Sequence, residues 1–166
     1  VEVWDGKKVT KHAYDSATRT YRVKNGAELA WLAALVNGTL PVGTRSEEFA
    51  PADNLDGETI VLTQNIDLGG KEWTPIGYGD RKFEGTFDGQ NYTIKNLVVT
   101  GNNSTVGLFG NTYNGEIKNL TVENAKVSGR LNVGVVAGNP YTSKYTNITV
   151  KGLVQVNGMA YVGGVG

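Results

Sequence analysis

Two short strings recur along this chain in the same order and at nearly the same interval, and that recurrence limits the fold more than any other feature. The first is Ile-Lys-Asn-Leu, at Ile94–Leu97 and again at Ile117–Leu120, each followed by a Val-containing strand. A looser copy runs Thr146-Asn147-Ile148-Thr149-Val150. The Asn of each copy stands at Asn96, Asn119 and Asn147, two steps that both fall in the twenties, the second a little longer than the first. The second string is Val-Gly followed by small or apolar residues, beginning at Val106, Val133 and Val162, again with two nearly equal steps in the twenties. Such an interval is too short for a helix-pair repeat, which needs about 33 residues or more, and Leu is not periodic enough for a leucine-rich repeat. A β-solenoid, with one coil per repeat, fits. A β-sandwich with accidental repetition would have to generate two independent markers in one order.

In a solenoid each coil lays short strands on those of the next, and its inward residues stack. Ile94, Leu97 and Val99 are expected to stack on Ile117, Leu120 and Val122. The Gly content, 23 of 166 residues, is about twice the usual share and supplies corners with positive φ. Asn at a corner tolerates the left-handed region and can join a side-chain ladder, the role expected of Asn96, Asn119 and Asn147.

One segment reads as a helix. In Gly26–Gly38, Leu29, Leu32, Ala33 and Val36 fall at i, i+3, i+4 and i+7, a buried stripe that Trp31 and Leu35 widen. Asn25 or Gly26 can cap its start, and Gly38 stands where a C′ glycine belongs. A parallel solenoid has an open sheet edge at each end, so this helix is suited to cover one of them. The expected organisation is an N-terminal section, 1–57, holding the cap helix (about 27–37) and a Pro-containing excursion, followed by coils over 58–166. The fold class is all-β, a parallel β-helix with an N-terminal capping helix. The chain opens at Val1 without a signal-like segment and stops at Gly166 in the middle of a pattern, so it reads as part of a longer protein with an unfinished last coil.

Composition narrows the function. Sixteen Lys and Arg balance sixteen Asp and Glu, which argues against nucleic acid or an anionic membrane surface as partner. There is no Cys and one His, His12, so thiolate chemistry and a His-pair metal site are excluded. No run of about 18 apolar residues is present to span a membrane.

The residues around the repeats resemble a known family. Gly107–Gly110 (GLFG), Gly115–Gly129 (GEIKNLTVENAKVSG) and Asn132–Asn139 (NVGVVAGN) are similar to the GLUG motif of large adhesin-like bacterial surface proteins, many from gut Bacteroidetes, which also occurs outside the catalytic part of some IgA-cleaving metallopeptidases. Upstream, residues 28–37, 59–77 and 83–97 resemble the coils that lead into such repeats. In the second copy the usual small-Leu-Val core reads Val135-Val136-Ala137, a conservative change. The likeness covers roughly residues 20–166. It implies a right-handed parallel β-helix, secreted or attached to the cell surface, with a role in adhesion.

Enzymatic residues are sparse. A glycosidase needs two carboxylates about 5–10 Å apart. Only Glu116 and Glu123 follow Asp88, and Lys118 and Lys126 beside them mark solvated face charges. In the lead-in, Asp67, Asp80, Glu84 and Asp88 are the candidates for a cluster, but Asp67 and Asp88 lie beside Gly and read as turn residues. His12 has no Ser or Asp partner at motif spacing. The chain is expected to be non-enzymatic and to need no metal or cofactor.

Binding is the function left. Tyr113 and Tyr141 each follow the last Gly of a marker, Gly110 and Gly138, at the same short distance. Stacked coils would put both rings on one edge, where an aromatic face surrounded by amides and hydroxyls suits a sugar. Tyr78 and Tyr92 are candidate additions from earlier coils, and Trp73 is expected in the core or at a corner. The sequons at Asn37, Asn91 and Asn103 are of the kind any Asn- and Thr-rich solenoid contains. The expected partner is a glycan or a host surface or matrix protein. The alternatives are a polysaccharide lyase or hydrolase on the same scaffold, and a structural stalk with smooth polar faces. A bare C-terminal edge also predicts end-to-end self-association.

Overall fold

A computed structural model describes residues 1–166 apart from 12, 44–47, 102, 160 and 166, so the expectation for His12 lies outside the described residues. The described residues form thirteen strands and one helix. In order these are β1 (Tyr14–Asp15), β2 (Thr20–Val23), α1 (Gly26–Asn37), β3 (Thr59–Leu62), β4 (Ile66–Asp67), β5 (Thr86–Asp88), β6 (Thr93–Val99), β7 (Thr105–Val106), β8 (Phe109–Tyr113), β9 (Glu116–Ser128), β10 (Asn132–Gly134), β11 (Ala137–Tyr141), β12 (Lys144–Asn157) and β13 (Tyr161–Gly163). Apart from the short antiparallel pair β1–β2, every pairing between strands is parallel, and the result is a β-solenoid of about four turns.

Its walls follow from the register. One wall stacks β2, β3, β5, the first part of β9 and the first part of β12, with Tyr21, Ile60, Phe87, Ile117 and Tyr145 in one column. The next stacks β4, β6 and the second parts of β9 and β12, with Ile66, Ile94, Val122 and Val150 in one column. Two narrower walls are β7–β10–β13 and β8–β11. The Val-Gly marker behaves as expected: Val106, Val133 and Val162 are neighbours across β7, β10 and β13.

The Ile-Lys-Asn-Leu copies do not stack on each other, which corrects the expected register. Ile94 pairs with Val122 and Leu97 with Ala125, whereas Ile117 pairs with Phe87 and Leu120 with Ile148. Ile94, Leu97, Ile117 and Leu120 all remain inward and buried. The physical reason is that the step from Ile94 to Ile117 falls short of one coil. The two strings spell two different corners of the cross-section, each needing an apolar residue on either side of a left-handed Asn. One corner is the column Asn91, Asn119, Asn147, with φ of 63°, 54° and 55°. The other is Asn96, Asn124, Gly152, with φ of 61°, 57° and 81°. Each column advances by equal steps of one coil, and Asn147 Nδ2 donates to Asn119 Oδ1 at 3.0 Å and to Asn91 Oδ1 at 3.2 Å.

Charge alternates along one column. Asp67 pairs with Lys95, Lys95 with Glu123, and Glu123 with Lys151, so Lys95 and Glu123 each meet the opposite sign above and below.

The helix forms as its sequence directs. Asn25 Oδ1 accepts from Glu28 N at 2.9 Å, Glu28 reaches back to Lys24 N at 3.0 Å, and Gly38 ends the helix at φ 72°. Leu29, Leu32, Ala33 and Val36 are buried, while Trp31 and Leu35 are partly buried against the same core. Because α1 diverts the chain after β2, the place beside β4 is filled by the N-terminal segment instead. Val3 bridges Asp67 in parallel, Trp4 N donates to Asp67 O at 3.0 Å, and the Trp4 ring meets Trp73 edge-on at 5.5 Å. One hydrophobic core runs from Trp4 through α1 to Ala137.

Candidate functional site

The walls β8 and β11 place two tyrosines over one another. Their register pairs Asn111 with Asn139, Thr112 with Pro140 and Tyr113 with Tyr141. The rings are 5.1 Å apart at their centroids and 4° from parallel. Tyr113 is half-buried, whereas Tyr141 is 58% exposed. In the coil before, Lys82 extends its Nζ over the Tyr113 ring at 5.1 Å, a cation–π contact. Lys82, Asn111, Thr112, Tyr113, Asn139 and Tyr141 together line a shallow recess of about 200 Å³.

The loop that carries Lys82 is anchored from beneath. Asn111 Nδ2 donates to the carbonyls of Gly77, Gly79 and Arg81 at 3.1, 2.8 and 3.0 Å, and Asn139 Nδ2 donates to Asn111 Oδ1 at 3.3 Å. Gly77, at φ 87°, brings this loop against Asn111 O so closely that a Cβ would collide with it. Thr112 is buried, and its hydroxyl is shared between Tyr145 Oη at 3.0 Å and Ser143 Oγ at 2.9 Å. Burial raises the Tyr145 phenol above its ordinary range. The recess is therefore a fixed surface, its polar floor already hydrogen-bonded.

Of the four tyrosines expected at a site, the structure brings Tyr113 and Tyr141 together and places the other two elsewhere. Tyr78 lines a different recess with Gly79, Asn103, Ser104 and Thr105, and donates to Asn103 Oδ1 at 2.6 Å. Tyr92 is half-buried against the core. Trp73 is buried, as its sequence context suggests, with Nε1 donating to Leu108 O at 3.0 Å. The three sequon side chains named above are all engaged. Asn37 is buried and bonds Pro75 O, Gly77 N and Tyr78 N; Asn91 accepts from Asn147, and Asn103 from Tyr78.

The carboxylates occupy structural positions. Asp67 accepts from Gly69 N and Asn96 Nδ2, and Asp88 from Gln90 N and Asn119 Nδ2. Glu84 accepts from Asn54 Nδ2, and Asp80 stands 4.0 Å from Arg81. Glu116 faces Lys118 at 3.5 Å and Lys144 at 3.8 Å. Among the described residues no three His, Asp or Glu side chains converge as a metal would require, and no helix is long and apolar enough to cross a membrane.

Sequence reasoning missed a larger feature. A groove of about 790 Å³ crosses successive levels of the solenoid, from Val3 through Asp67, Asn96 and Asn124 to Leu153. It follows the second left-handed column, and the signal that could have found it is the equal spacing of Asn96, Asn124 and Gly152. Its lining is largely apolar and includes Leu153, which is 85% exposed. No family model, curated protein or solved structure matches the chain.

Proposed function

We propose that this chain is a non-enzymatic recognition module of a bacterial surface or secreted adhesin-like protein with GLUG-type repeats, offering a rigid solenoid face to a glycan or to a host surface or matrix protein. The observation that carries the reading is the Tyr113–Tyr141 stack, which leaves Tyr141 exposed beside amide groups. Aromatic rings with polar neighbours suit sugars because pyranose C–H faces stack while hydroxyls hydrogen-bond. A stalk with smooth polar faces would have neither this recess nor the long groove.

We propose that the solenoid is right-handed, as the resemblance to GLUG-repeat proteins implies; the general preference of crossovers between parallel strands for that hand supports it. Helix α1 covers the N-terminal end, a role supported by the burial of nine of its twelve residues.

The test is binding of the purified chain to an array of glycans, mucins and matrix proteins, alongside a Tyr113→Ala/Tyr141→Ala double variant. Selective binding that the double variant loses is the expected result. Binding to none of the array would leave the stalk as the better account.

A further inference from the structure

We infer that the recess at Tyr113 and Tyr141 takes an acidic oligosaccharide, with a carboxylate or a sulfate at Lys82, the residue that selects it, and a further pyranose of the same chain on Tyr141. This rests on the recognition reading above and names the ligand class for the same site.

Three observations lead there. Among the described residues that line the recess, Lys82 is the one charged side chain. Among the described residues it forms no ion pair; of the nearest acids in sequence, Glu84 accepts from Asn54 and Asp80 stands 4.0 Å from Arg81. Its Nζ is held over the Tyr113 ring, which uses one side of the ammonium and leaves donors for an anion. Holding a long, flexible side chain in place before the ligand arrives lowers the entropy lost on binding.

The neighbouring groups say what the rest of the ligand is. Lys82, Tyr113 and Tyr141 follow one another along the solenoid axis, with the same 5.1 Å from cation to ring and from ring to ring. The inner ring has one face toward Tyr141 and one toward Lys82, so the flat surface open to a pyranose is the outer face of Tyr141. Asn139 is exposed, and among the described residues its side chain bonds through Nδ2, leaving the Oδ1 carbonyl to accept from a sugar hydroxyl. A free anion would meet Lys82 alone, and a neutral sugar would meet Tyr141 and Asn139 alone. Because Lys82 and the outer face of Tyr141 are two ring spacings apart, one sugar cannot meet both, and only an oligosaccharide with an anionic group at Lys82 and a further pyranose on Tyr141 engages the whole recess.

The experiment measures binding of the full chain to polygalacturonate, chondroitin sulfate, and sialylated and desialylated mucin, at low and at physiological salt. The variants are Lys82→Gln, Lys82→Arg and Tyr141→Ala. The expected result is binding to the acidic ligands that falls at least about tenfold in Lys82→Gln, is retained in Lys82→Arg, weakens with salt, and is lost in Tyr141→Ala. Preference for polygalacturonate and sialylated mucin identifies a carboxylate, and preference for chondroitin sulfate over both identifies a sulfate. Binding that depends on Tyr141 but is indifferent to Lys82, or that favours no acidic ligand over desialylated mucin, overturns the inference and leaves the recognition reading standing. Binding to none of these, and to no neutral glycan or protein of the wider array, overturns both.

Discussion

Tyr113 and Tyr141 are a full coil apart in sequence, yet their rings lie 5.1 Å apart and 4° from parallel. Parallel pairing of β8 and β11 brings this about without any dedicated contact, since residues one coil apart become neighbours. The pair is consequently a direct report on coil register, and its energy is separable from any ligand.

A double-mutant cycle through Tyr113→Ala and Tyr141→Ala should give a coupling energy near the lower end of the aromatic-pair range of about 0.5–1.5 kcal/mol, because Tyr141 is mostly exposed. Chemical denaturation of the four proteins reads it. Strict additivity would show that the rings are adjacent without interacting.

The corner at Asn119 combines a left-handed backbone with a ladder hydrogen bond, and two substitutions separate them. Asn119→Ala should cost about 2–3 kcal/mol, from strain at φ 54° and loss of the bond from Asn147. Asn119→Gly relieves the strain and should cost roughly 1 kcal/mol less. Equal losses on thermal or urea unfolding would mean that backbone strain contributes nothing.

Trp4 pins the N-terminal segment to the solenoid. It is buried, meets Trp73 edge-on, and donates from Nε1 to Lys8 O at 2.9 Å. Trp4→Ala should destabilise by about 3–5 kcal/mol, with Trp73 fluorescence shifting as its ring meets water. An unchanged midpoint would show that the first level of the solenoid is dispensable.

Stability should fall on the alkaline side. Burial, followed by the charge of Glu58, pushes Tyr21 up to about 12 from an ordinary value of 10.0, and its hydrogen bond to Glu58 raises Tyr14 as well. Below pH 10 the phenol is protonated in both states and the stability is intact. Between pH 10 and about 12 the unfolded chain ionises first, so the folded state loses ground as pH rises. Urea midpoints measured from pH 9 to 12 should decline, and Tyr21→Phe should flatten part of that decline. A slope unchanged in Tyr21→Phe would assign the effect to other tyrosines.

The sequence was most informative where one marker recurred at the true coil length. Val-Gly does so, and it predicts the correct neighbours; the matching positions of Tyr113 and Tyr141 after Gly110 and Gly138 inherit that accuracy. The helix was legible from Asn25 to Gly38 because cap, stripe and stop agree. Ile-Lys-Asn-Leu misled, since two corners with the same steric requirement converge on one string. Lys82 could not be found by periodicity: it belongs to a loop of the preceding coil whose length matches no later one, and Phe83 meets Thr112 only through an isolated bridge. Val3 was equally hidden, a single residue completing a wall from the far end of the chain.

The alternating column Asp67, Lys95, Glu123, Lys151 gives the solenoid a parity. Neighbouring coils attract through it, but coils two apart carry the same sign. Excising the coil that holds Glu123 would set Lys95 against Lys151, a directly opposed like pair, which is destabilising. Excising that coil together with the one holding Lys95 would instead join Asp67 to Lys151 and restore the match. Along this face the scaffold is built to shorten or lengthen by twos, and an odd change in coil number carries an electrostatic error that an even change avoids.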